Sequence, residues 1–146
     1  MRLNTCSGVI SLSRELENES ARFYEELSRK YAQDADIFLS FAKENKKNIV
    51  QVERTYYGVI SDAIEGCFAF DLNPDEYKLE TEPTDRANYP ETVNKAIGIE
   101  ETVIKFYSDA AAQSEGLMAD IPRAFKLVAR RREGRRPKLE SLLEES

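Results

Sequence analysis

Apolar residues recur at helical spacing in four blocks along this chain. The first covers residues 7–31, with Val9, Leu12, Leu16, Phe23 and Leu27 on or near one face. A short polar connection at 32–35 leads to Asp36, the expected N-cap of a second helix running to Gly66. That helix carries Phe38, Phe41, Ala42, Ile49, Val52, Val59 and Ile60. Between Cys67 and Asn88 the helical period fails. Asn73-Pro74-Asp75 and Glu82-Pro83-Thr84 are turn chemistry, and Tyr77, Leu79 and Tyr89 read as anchors on the outside of a bundle. Asn88 with Glu91 resembles a capping box, Pro90 suits the first turn, and a third helix follows with Val93, Ala96, Ile97, Val103, Ile104 and Tyr107. A loop around 113–119 precedes Asp120, the expected cap of a fourth helix.

The fourth helix holds the main irregularity. Its seam advances in steps of four and three through Ile121, Phe125, Val128, Arg132, Arg135, Leu139 and Leu142. Two arginines therefore stand where apolar residues are expected. Gly134 and Pro137 lie in the same stretch, and a proline there clashes with the carbonyl of Glu133, so a kink or break is expected near 133–137.

The pattern as a whole predicts one all-α domain over 1–146. It is a four-helix bundle of two helical hairpins, 7–66 and 90–146, joined by a long crossover at 67–89. The halves resemble each other. Leu16-Glu17 with Phe23-Tyr24 reappears as Ile99-Glu100 with Phe106-Tyr107, and Phe38, Ala42, Asn45 and Asn48 match Phe125, Ala129, Arg132 and Arg135 in spacing.

Composition narrows the chemistry. The chain has no histidine, which excludes histidine–carboxylate metal centres and histidine-based catalytic triads. A net charge of −6 argues against general nucleic-acid binding, although residues 123–138 hold eight basic side chains against the single acid Glu133. That stretch reads first as a solvated helix face with internal or dimer salt bridges, and otherwise as a site for an anionic ligand or a protein partner. Cys6 and Cys67 form no CxxC pair and read as free, packed thiols, consistent with a cytoplasmic location. The N-terminus has too short an apolar stretch for a signal peptide, and no apolar run is long enough to span a membrane.

The repeated halves resemble the rubrerythrin branch of the ferritin-like superfamily. There, the first and third helices each place a glutamate seven residues before a tyrosine, as Glu17 with Tyr24 and Glu100 with Tyr107 do here. The second and fourth helices of that family each carry Glu-x-x-His three residues after an alanine. This chain has Asn45 and Asn48, then Arg132 and Arg135, at those places. The resemblance implies a ferritin-like fold and a homodimer, with a di-iron site whose ligand positions survive only at Glu17 and Glu100. Asparagine is a weak neutral donor and arginine offers no lone pair. The expectation is a non-catalytic structural or partner-binding protein with no resident metal. A salt-bridge network of Arg132 and Arg135 with Glu17 and Glu100, completed by Asn45 and Asn48, would replace the metal centre. Tyr24 and Tyr107 read as core residues with hydroxyl partners.

Three other readings stay open on the sequence. One is an oxidoreductase or iron-handling protein using iron or manganese at a remodelled carboxylate site. Another is a binder of anions or small ligands through Arg132 and Arg135. In the third, Glu17, Glu100, Asn45 and Asn48 are ordinary exposed polar residues.

Overall fold

The structure is a computed structural model, and it describes residues 2–59, 70–82, 88–117 and 119–145. Helix α1 spans Cys6–Lys30 and opens on Thr5, whose hydroxyl accepts from the Gly8 N–H at 3.1 Å. Its inward seam runs Val9, Ser13, Leu16, Ser20, Phe23 and Leu27, all buried. The chain leaves α1 at Tyr31, makes one 3-10 turn at Ala32–Asp34, and enters α2, Ala35–Val59. Asp36 is therefore not the cap expected from the sequence. The 3-10 turn feeds straight into the helix, and Asp36 lies inside the first turn, where its charge complements the N-terminal dipole. The continuation of this helix expected over 60–66 lies outside the described residues, as does Cys67.

Part of the long connection packs against the bundle. Phe70, Leu72 and Tyr77 are buried, and Leu72 exchanges both backbone hydrogen bonds with Leu3 in an isolated antiparallel bridge. No strand forms among the described residues. A 3-10 turn at Pro74–Tyr77 is capped by Asn73. Tyr77 anchors the crossover on the helix that spans Tyr89–Gln113 and is itself buried there: its ring packs edge-on against Phe106, and its hydroxyl donates to Asp109 at 2.6 Å. Tyr89 reaches back across the molecule, donating to Asp34 and packing edge-on against Tyr31.

Helix α3 spans Tyr89–Gln113 and is capped by Asn88, which accepts from the Glu91 N–H at 2.9 Å. Helix α4, Asp120–Glu133, starts on Ala119 without a side-chain cap; Asp120 is its first residue and instead accepts from Arg123. Gly134 interrupts the helix for one residue, and α5, Arg135–Glu145, follows. The interruption puts Pro137 in the first turn of a new helix, where a missing N–H costs nothing. Helices α1 and α2 pack as one hairpin, α3 packs on α4 and α5, and α2 with α4 and α1 with α3 join the halves into an all-α bundle. Between them lies a continuous core rich in Phe, Tyr, Val and Leu. Each fully buried side chain of this size contributes about 1.5–3 kcal/mol of transfer free energy. No helix among the described residues is long and apolar enough to cross a membrane.

Candidate functional site: a charged centre in the bundle core

The middle of this apolar core holds four fully or almost fully buried charges: Glu17, Glu100, Arg132 and Arg135. Ile121, Phe125 and Val128 bury one face of α4, so the next two positions of the same seam must also point inward. These are Arg132 and Arg135, on either side of the Gly134 break. Glu17 comes from α1 and Glu100 from α3, each about two helical turns before the buried aromatic pair that follows it.

Arg132 bridges the two acids. Its Nε and Nη2 donate to Glu17 Oε1 and Oε2 at 3.2 and 2.6 Å, a fork-on-carboxylate geometry. Its Nη1 donates to Glu100 Oε1 at 2.8 Å, and Nη2 also reaches Ser20 Oγ at 3.0 Å. Arg135 approaches from the α2 side. It donates through Nη1 to Glu100 Oε2 at 3.2 Å, through Nη2 to Asn45 Oδ1 at 2.6 Å and the Phe41 carbonyl at 3.2 Å, and through Nε and Nη2 to Glu44 Oε1. The faces of Phe41 and Tyr24 lie 4.9 and 5.8 Å from its guanidinium carbon, within cation–π range.

The tyrosines complete the arrangement by exchange between the halves. Tyr24 of α1 donates to Glu100 Oε2 of α3 at 2.6 Å, and Tyr107 of α3 donates to Glu17 Oε1 of α1 at 2.8 Å. Asn45 donates to the Glu17 carbonyl and to Ser20 Oγ. Asn48 donates weakly to Glu17 Oε1 at 3.4 Å and accepts from Arg131 at 3.3 Å. All eight positions singled out in the sequence thus meet at one place. Among the described residues, no buried side-chain nitrogen or oxygen lacks a hydrogen-bond partner.

Burial disfavours charge on Glu100 and Arg132, yet neighbouring charges outweigh it. Burial alone would raise the Glu100 carboxyl; the charges of Arg132 and Arg135, with the hydrogen bonds from Tyr24 and Arg132, hold it below the ordinary carboxylate range. Burial alone would lower the Arg132 guanidinium, and Glu100 and Glu17 instead raise it well above its usual value. The phenols of Tyr24 and Tyr107 are raised well above their usual value by burial, with Glu100 and Glu17 adding to the effect. At neutral pH Glu100 is therefore held as a carboxylate and Arg132 as a guanidinium, beside two intact phenols.

Ser13, Ser20, Glu44 and Arg131 join the centre beyond the eight positions singled out in the sequence. Ser13, which meets the Tyr107 hydroxyl at 2.9 Å, and Ser20 both sit on the α1 seam, where a small polar residue among apolar ones was a readable signal. Glu44 lies off the α2 seam. Only the length of Arg135 brings the two together, so no local pattern marks it. Among the described residues no group of three or more cysteine, aspartate and glutamate side chains is placed to hold a metal ion.

Comparison of the chain with protein-family models, with curated proteins and with solved structures finds no match.

Proposed function

We propose that this chain is a non-catalytic, ferritin-like protein of the rubrerythrin type, in which a salt-bridge network stands where relatives would hold two iron ions. Its role is structural or partner-binding. The observation that carries this reading is the position of Arg132, fully buried between Glu17 and Glu100 and donating to both. A guanidinium supplies permanent positive charge at the point where a metal would supply it, and the two glutamates act as its counter-ions. A di-iron centre does not fit this donor set. The carboxylate oxygens face N–H and O–H donors, the Glu-x-x-His places are Asn45, Asn48, Arg132 and Arg135, and no imidazole is available.

The same saturation weighs against anion binding in the core. Arg132 and Arg135 spend their donors on protein acceptors, so an incoming anion would have to displace a carboxylate already in contact. Metal content separates the proposal from the oxidoreductase alternative. Untagged protein, measured by mass spectrometry before and after anaerobic ferrous loading and desalting, should carry negligible iron and manganese. Retention of about one or two metals per chain refutes the reading.

A further inference from the structure

The outward face of α2 is unlike the rest of this acidic molecule. The large apolar side chains most exposed among the described residues, Leu39 at 40%, Val50 at 50% and Tyr57 at 68%, all lie on it. Positions 39, 43, 46, 50, 54 and 57 advance in steps of three and four, so Leu39, Lys43, Lys46, Val50, Arg54 and Tyr57 form one stripe about 27 Å long. Lys43, Lys46, Lys47 and Arg54 are all exposed, and among the described residues none of them makes an ion pair. Glu53, beside the stripe, is already held by Arg14.

The stripe borders a groove between α2 and α4. Lys46, Lys47, Val50, Gln51, Arg54 and Arg131 line a cavity of about 420 Å³. Gln51 and Arg54 also line a second cavity of about 320 Å³, together with Ala124 and Leu127 of α4. Among the described residues Asp120 is the only acid on either wall, and Arg123 holds it. A net charge of −6 makes this concentration of cations, unpaired among the described residues, around an apolar line the opposite of the molecule's average surface.

We infer that the α2–α4 groove is a docking surface for an amphipathic, acidic helix of a partner protein, with apolar residues seated at Val50 and in the groove and carboxylates facing Lys46, Lys47, Arg54 and Arg131. The charges demand an anionic occupant, and the apolar line demands hydrophobic anchors at helical spacing. A nucleic-acid backbone satisfies only the first requirement. A second copy docked about a two-fold axis would bring this face against itself, lysine to lysine, which is not self-complementary. The inference rests on the partner-binding side of the function proposed above and specifies the class of partner.

The test is fluorescence anisotropy on the full chain, using a panel of labelled glutamate- and leucine-containing helical peptides about 18 residues long, matched to the stripe. Peptides with leucines on one face should bind, and added salt should weaken them. Lys46→Glu with Arg54→Glu should cost at least about tenfold in affinity, as should Val50→Ser, while Lys78→Glu on the crossover changes nothing. All these side chains are exposed, and unchanged circular dichroism and melting temperature would show that the variants fold. Four results overturn the inference: no peptide binds; Lys78→Glu weakens binding as much as the groove variants; a single-stranded oligonucleotide or phosphatidylserine vesicles bind more tightly than any peptide; or sedimentation shows a dimer that the groove variants dissociate. Each concerns the surface, whereas metal retention concerns the core, so either proposal can fail without the other.

Discussion

Replacing Arg132 with methionine would expose how the core charges hold each other. Methionine keeps most of the length and apolar bulk of the arginine stem, so the packing loss is small. What disappears is the guanidinium. Glu17 loses two of its four donors and its direct counter-ion, keeping only Tyr107 and the long Asn48 contact, while Glu100 retains Arg135 and Tyr24. Stranding one charge of a buried pair costs about 3–5 kcal/mol. Domains of this size have about 5–15 kcal/mol in total, so Arg132→Met should fold but lie close to its limit. Urea unfolding followed by circular dichroism should give a lower midpoint with an unchanged slope.

The pH dependence sharpens this prediction. In the parent, Glu100 is held below its ordinary value in the folded state. It therefore contributes stability that is present above its unfolded value of about 4.3 and is lost as pH falls through the lowered folded value. The parent loses stability on acidification. In Arg132→Met, Glu100 loses one of the two charges that lower it, so the variant loses less stability on acidification and the deficit between variant and parent should narrow from about pH 7 to about pH 4. Adding Glu17→Gln to the variant removes the stranded charge and should recover part of the loss, a non-additivity readable as a double-mutant cycle. The reasoning is refuted if Arg132→Met lies within about 1 kcal/mol of the parent at both pH values, or if the double variant is no more stable than the single one.

Two further substitutions probe the surroundings. Tyr24→Phe removes the 2.6 Å bond to Glu100 and should cost about 1.5–3 kcal/mol in urea unfolding, as expected for a hydrogen bond to a buried charge. Because the Tyr24 and Tyr107 phenols are raised in the folded state, they contribute stability below their unfolded value of about 10, which is lost as pH rises through the folded value. In an alkaline absorbance titration four tyrosines should titrate above the ordinary range, Tyr77 and Tyr89 among them, and Tyr24 and Tyr107 should ionise only together with loss of helix; their ionising in the intact fold would contradict this. Asn88→Ala deletes the side-chain cap of α3 and should lower stability by about 1 kcal/mol, or about 2–4 °C in melting temperature; an unchanged melting curve would contradict the capping role.

How much of this was legible in the sequence depends on the range of the interaction. The helical blocks, the Asn88 cap and the inward seam of the last helical stretch follow from spacing between near neighbours in the chain, and helical periodicity is a local property. Even the burial of Arg132 and Arg135 follows from the apolar residues that flank them on one seam. Local signals failed at Asp36 and Asp120, because a 3-10 turn and Ala119 began those helices two residues and one residue earlier than the aspartates suggested. The depth to which Tyr77 is buried was not legible, because it depends on a ring from α3.

The tertiary structure alone decided the pairings. Which guanidinium grips which glutamate, and that each tyrosine serves the acid of the other hairpin, depends on where four helices from distant parts of the chain come together. The same holds for Ser20 as a shared partner of Arg132 and Asn45, and for Glu44 closing the edge of Arg135. Side chains as long as arginine reach several positions, and burial then selects the one set of contacts that leaves no donor or acceptor unmet. The sequence by itself determined that charge would be buried in this bundle; only the fold determined how that charge is balanced.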